Sequence, residues 1–200
     1  MYTKTTMMRK CSVLLAFFAF AAIATAQVAE FSVSGGVSRY GGAALVTNPD
    51  DLVLGDGARI ALRFTVNAWR FMGHEFGYGY AHSSIATQGQ SYGMSIHQGF
   101  YNFLVYGTPE GSRIRPFVTG GIHFSSFVPP GGSSYYSVTK FGVNYGGGLK
   151  FKVSGPFGAR IDFRQYNTGK PDFGNVGLNV PAPSGRMTQT EITAGVSYNF

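Results

Sequence analysis

From residue 28 to the C-terminus, apolar and polar side chains alternate with a period of two, in runs near 28–40, 57–68, 70–83, 91–106, 113–126, 138–153, 156–166 and 188–200. That period puts successive side chains on opposite faces of a strand, so eight strands are predicted, each with one apolar face. Ile60, Leu62, Phe64 and Val66 oppose Arg59, Ala61, Arg63 and Thr65; Phe76, Tyr78 and Tyr80 oppose Glu75, Gly77 and Gly79. Phe141, Val143, Tyr145, Leu149, Phe151 and Val153 oppose Asn144, Lys150 and Lys152. Phe157, Ala159, Ile161 and Phe163 oppose Arg160, Asp162 and Arg164. In the last run Phe200, Tyr198, Val196, Ala194 and Ile192 share a face opposite Glu191. The fourth run is ambiguous, because Tyr101, Phe103 and Val105 compete with Phe100, Leu104 and Tyr106; the first set is taken as outward, with a bulge shifting the register. In the fifth, Val118, Ile122 and Phe124 point out, and Arg115, Phe117, Thr119 and His123 point in.

No helical period is found in this region. The connections after the second, fourth and sixth runs are tight, at Ala68-Trp69, residues 107–111 and Ser154-Gly155. Those after the first, third, fifth and seventh are predicted to be longer, including 41–56, 127–137 and 167–187. Segregated loop lengths and an even strand number describe an all-β, eight-stranded antiparallel transmembrane up-and-down β-barrel, with its short turns periplasmic. The aromatic faces argue for lipid outside: an eight-stranded barrel is only wide enough to be filled by its own side chains, and so many Phe and Tyr would overfill it. Trp69, Phe71, Tyr106, Phe157 and Phe200 are expected in a girdle at the periplasmic interface, and Tyr40, Tyr80, Tyr92 and Phe124 towards the other rim.

Upstream, Lys4, Arg9 and Lys10 precede an apolar run from Val13 to Ile23 and the small-residue site Ala24-Thr25-Ala26. This reads as a cleaved signal peptide over residues 1–26, leaving a barrel domain over 27–200. Cys11 precedes the apolar run, so it is misplaced for lipid attachment, and cleavage leaves no cysteine for disulfides or metal thiolates. Of the 16 Lys and Arg three lie in the leader, leaving 13 against nine Asp and Glu, a net charge of +4. The bases are scattered, which argues against nucleic acid as a partner.

With YNFLVYG (101–107), RPFVTGGIHF (115–124), the stretch 140–166 and the terminal strand TEITAGVSYNF, the chain resembles the small outer-membrane β-barrel family that includes the OmpA-like membrane domain. The resemblance spans residues 27–200 and implies a monomer in the cell outer membrane, surrounded by lipid and lipopolysaccharide. It also implies that Ile192, Val196, Tyr198 and Phe200 form a C-terminal signal read by the barrel assembly machinery. The two-domain members carry a periplasmic peptidoglycan-binding domain, whereas this chain ends on its eighth strand.

The inferred interior charges are Glu30, Glu75, Asp162 and Glu191 against Arg59, Arg63, Arg115, Lys150, Lys152, Arg160 and Arg164. Charges enclosed in a narrow barrel need partners or water. They form either a salt-bridge network that fills the lumen or, given three surplus bases, a small anion-preferring pore. A third reading is enzymatic: some barrels of this membrane are lipid A deacylases with a His-x-Ser pair, and His123-Phe124-Ser125 has that spacing. The neighbouring strand offers no acid, His123 points inward in the preferred register, and neither His82-Ser83 nor His97 supplies a better constellation. No catalytic centre, cofactor or metal is therefore expected. Gly146-Gly147-Gly148 lacks the following Gly-Lys-Ser/Thr and helix of a phosphate loop, so close packing is expected there. Asp50, Asp51 and Asp56 beside Asn48-Pro49 read as turn residues rather than a calcium site. Leu45, Leu52, Leu54, Phe173, Val176 and Leu178 lie in loops 41–56 and 167–187, where they either mark a contact surface for an extracellular partner or fold over the barrel mouth.

Overall fold

The computed structural model describes residues 28–41, 43–46, 52–87, 90–131, 136–173 and 185–200. The expected leader, Asp50, Asp51, Val176 and Leu178 lie outside them. Among the described residues there are ten strands: β1 (Val28–Arg39), β2 (Ala43–Val46), β3 (Leu52–Leu54), β4 (Gly57–Trp69), β5 (Met72–Thr87), β6 (Gln90–Tyr106), β7 (Ile114–Val128), β8 (Val138–Ser154), β9 (Phe157–Gly169) and β10 (Arg186–Asn199). Eight of them close into an antiparallel barrel in the order β1, β4, β5, β6, β7, β8, β9, β10, with β10 pairing back onto β1 from Glu30↔Asn199 to Arg39↔Thr190. The short β2–β3 hairpin joins the upper end of β5 through Val53↔Ala86 and Leu54↔Ile85.

Three expectations about connections and register change. β6 pairs without interruption along both neighbours, so no bulge is needed to set Tyr101, Phe103 and Val105 outward and Phe100, Leu104 and Tyr106 inward. The third connection is not long: alternation continues through Ile85, and pairing runs out to Thr87↔Gln90, leaving two residues between strands. The first connection is not loop throughout, since β2 and β3 lie within it. At the opposite end the turns are tight. Trp69 pairs with Met72, and Ser154 with Phe157. The latter hairpin has Gly155 at φ 53°, in the left-handed region that glycine enters without a Cβ clash.

The outward faces are apolar around the whole wall: Ile60, Phe76, Val118, Ile122, Phe141, Phe163 and Val196 are all exposed. In water this would be an apolar surface far beyond what a soluble monomer shows; in a bilayer it is the required solvent face. Trp69, Phe71, Phe157 and Phe200 stand exposed around the short-turn rim. Tyr106 departs from that girdle and turns inward, its ring edge-on to Phe117 with centroids 6.1 Å apart. Tyr40 likewise leaves the opposite rim and is buried. Both follow from strand parity, which outranks proximity to a rim.

The interior is layered. At the extracellular end Tyr40, Leu45, Leu54, Ile85, Met94, Ile96, Phe127, Phe173 and Met187 form a buried apolar cluster. Leu45, Leu54 and Phe173 therefore cap the barrel instead of facing outward. Asp56 serves the turn beside them, accepting a hydrogen bond from the Tyr40 backbone N–H at 2.8 Å. Below this cap the lumen is filled by charged and polar side chains, with large ones set against glycine. A Cβ on Gly77 would lie 2.2 Å from Phe100, and one on Gly79 2.2 Å from Arg59. Gly148 serves close packing too: its Cβ would meet Phe117 at 2.8 Å.

Candidate functional site

The lumen charges are organised by β9, where Arg160, Asp162 and Arg164 occupy three successive inward positions. Asp162 receives both Arg160 Nε and Nη2 at 2.8 Å, and Arg164 Nη2 at 3.0 Å. Glu75 of β5 accepts from Arg160 Nη2 at 3.0 Å and from Arg164 Nη2 at 2.7 Å. In the barrel order β5 and β9 are four strands apart, which makes them diametrically opposite. These bonds cross the full width of the lumen.

The remaining charges build outward from that bridge. Glu191 on β10 lies 2.5 Å from both Arg59 Nε and Arg63 Nη2. Arg63 also approaches Glu75 at 4.0 Å and donates to Ser34 Oγ, and Arg59 donates to Gln98 Oε1. Towards the periplasm Lys150 Nζ contacts the two Glu30 oxygens at 2.9 and 3.0 Å and donates to Tyr106 Oη at 3.1 Å. Glu30 also accepts from Arg160 Nη1 at 3.5 Å, which joins the two clusters. Arg115 sits at the edge, 4.0 Å from Glu110 and stacked over Tyr106 at 3.6 Å.

The expected lumen residues thus come together with one exception. Lys152 keeps the inward parity, paired with Gly158, but lies at the open periplasmic mouth, where it is exposed to water. The deeply enclosed set is then Arg59, Arg63, Lys150, Arg160 and Arg164 against Glu30, Glu75, Asp162 and Glu191, nearer to balance than the inferred surplus of three. Enclosed ions survive only with such close partners, because each alone would carry a desolvation cost of several kcal/mol.

Charge alone did not reveal the neutral level between network and cap. Gln98 Nε2 donates to Ser125 Oγ and Gln189 Oε1, both at 2.7 Å, and Gln189 Nε2 donates to Ser38 Oγ at 2.9 Å. Their signal in the sequence was parity, since all four occupy inward positions. His123 belongs to the same level, with Nε2 2.6 Å from Thr168 Oγ1 and its ring edge-on to Tyr166. His123 and Ser125 are both buried inside the barrel, away from the lipid face a deacylase would use. Among the described residues no group of three His, Cys, Asp or Glu could hold a metal ion.

The family model for the outer membrane protein beta-barrel domain matches residues 12–200. The chain belongs to this family. Its barrel is similar to solved outer-membrane barrels of low sequence identity. Neisserial surface protein A (NspA) superposes with a TM-score of 0.61 at 13% identity, covering 88% of this chain and 98% of that one. OprG from Pseudomonas aeruginosa gives 0.59 at 12%, covering 86% and 95%. The N-terminal β-barrel domain of Pseudomonas aeruginosa OprF gives 0.56 at 15%, covering 86% and 97%. No curated protein matches the chain. As an outer-membrane β-barrel protein it resides in the cell outer membrane, and its apolar wall is its lipid contact. The terminal strand of this outer-membrane barrel closes the wall: Ile192, Val196, Tyr198 and Phe200 face lipid, and Phe200 N donates to Ala29 O at 2.8 Å.

Proposed function

We propose that this outer-membrane barrel is a sealed structural element whose role is carried by its lipid-facing wall and extracellular rim, with no catalytic centre and no solute passage through its lumen. The carrying observation is the Glu75 bridge to Arg160 and Arg164 between opposite walls, at 3.0 and 2.7 Å. A side-chain bridge of that length leaves no water-filled bore at its level. The apolar cap above it adds a second closure, because ions would have to cross Ile96, Met94 and Phe127 without hydration. On the periplasmic side a cavity of about 200 Å³, lined by Glu30, Glu110, Arg115 and Lys150, forms a vestibule below the bridge. These features weigh against the small-pore reading. The deacylase reading lacks an acid partner for His123 and access for lipid to Ser125.

The terminal face of Ile192, Val196, Tyr198 and Phe200 is proposed to be read by the assembly machinery before it pairs with β1. The leader over residues 1–26 is proposed to direct export. Proteoliposomes carrying the purified protein should swell in isotonic arabinose no faster than empty liposomes. Swelling that rises with protein content would support the pore instead.

A further inference from the structure

We propose that the extracellular rim of β1, β9 and β10 is a binding site for an acyl lipid bearing phosphate on its headgroup. On the outward face of β10 the residues run Tyr198, Val196, Ala194 and Ile192, then Thr190 and Thr188, then Arg186. The outward face of β1 passes from Phe31, Val33 and Val37 to Arg39. Strand β9 passes from Ile161 and Phe163 to Gln165 and Asn167, followed by Lys170. All three adjacent strands therefore turn from apolar to cationic at the same end of the barrel, β9 and β10 through an intervening amide or hydroxyl step. That order matches the change from acyl chains to headgroups in the outer leaflet.

The three lines converge on one concavity of about 740 Å³ in the outer wall, lined by Phe163, Ile192, Thr188, Arg39, Lys170 and Arg186. Phe163 and Ile192 pair in register and are exposed, giving an apolar floor for chains. Arg39 and Arg186 are exposed above it, and neither forms an ion pair among the described residues. None of the described residues lining the concavity is acidic. Guanidinium groups bind phosphate through paired N–H donors, and here they lie beside hydroxyl donors and over an apolar surface. An amphiphile with an anionic head satisfies both halves; a soluble anion satisfies only one. The lumen network takes no part in this site.

The test uses the protein purified from outer membranes, exchanged into detergent and titrated with diphosphoryl lipid A while native mass spectrometry counts the bound lipid. Binding of one lipid is expected, weakened about 30-fold in the Arg39→Gln/Arg186→Gln double variant. The double variant Arg70→Gln/Arg113→Gln removes equal charge from exposed positions at the periplasmic rim and should bind like the parent. Heat modifiability on gels reports that each variant remains folded. Lipid A stripped of both phosphates should lose the binding, and inorganic phosphate at matched concentration should not compete. Unchanged affinity in Arg39→Gln/Arg186→Gln would overturn the proposal. So would equal loss in Arg70→Gln/Arg113→Gln, equal binding of dephosphorylated lipid A, or full competition by inorganic phosphate.

Discussion

Replacing Glu75 by Gln keeps the side-chain shape and removes the charge that ties opposite walls together. The carboxylate accepts from Arg160 at 3.0 Å, Arg164 at 2.7 Å and Thr65 Oγ1 at 3.3 Å, with Arg63 at 4.0 Å. An amide has one acceptor oxygen, and its NH2 would face a guanidinium, so at least one charge-assisted bond is lost and a buried cation is left short of a counter-charge. Breaking a buried pair from one side costs about 3–5 kcal/mol. With a urea dependence of roughly 2 kcal/mol per M, the unfolding midpoint falls by about 2 M. The assay is urea unfolding in phosphatidylcholine vesicles, followed by the fluorescence of Trp69, the single tryptophan. Lys152→Gln at the exposed rim serves as control and should leave the midpoint in place. The variant Arg164→Met, combined with Glu75→Gln, should lose less than the sum of the two single changes, because the stranded cation goes with its partner. A Glu75→Gln midpoint within about 0.3 M of the parent would refute the network as a source of stability.

The cap should be separable from the network. Phe127→Ala, which removes a fully buried ring from the apolar cluster, should destabilise by about 3–5 kcal/mol in the same vesicle assay. It should still produce no conductance, since the bridge below remains. Trp69 should be quenched more by lipids brominated near the glycerol backbone than by lipids brominated at the chain ends, as an interfacial girdle requires. Deleting Phe200 should lower the heat-modifiable, assembled fraction recovered from outer membranes relative to total protein; an unchanged fraction would remove the assembly role proposed for it.

Strand number and the inward charges were legible because a two-residue period is a strict geometric rule. Once Ile60 and Leu62 are placed outward, Arg59 and Arg63 can only be inside. The alternation Arg160, Asp162, Arg164 on one inward face already showed a network in miniature. Three kinds of information were not in that rule. Partners across the lumen, such as Glu75 with Arg164, depend on how the sheet closes, and the sequence separation of 89 residues carries no signal for it. Tyr106 was placed by its nearness to a turn, when its parity with Leu104 and Phe100 pointed inward. Lys152 kept the inward parity, pairing with Gly158, but it stands at the open periplasmic mouth, where water reaches it. The cap was left open between a contact surface and a cover over the mouth because its members come from eight separate segments, none of which has a distinctive pattern alone. Inward-facing Met94 and Ile96 broke the polar-inside rule and were the available clue.

Glu75 joins opposite walls through Arg160 and Arg164, and the proposed seal against ion flow rests on that bridge. Single-channel recording of the purified protein in a planar bilayer reads the seal itself. The structure predicts a flat baseline at moderate voltage, for the parent and for Lys152→Gln alike. Resolved, reproducible openings whose amplitude changes in Arg160→Gln or Lys150→Gln would place the ion path through the bridge and contradict the account.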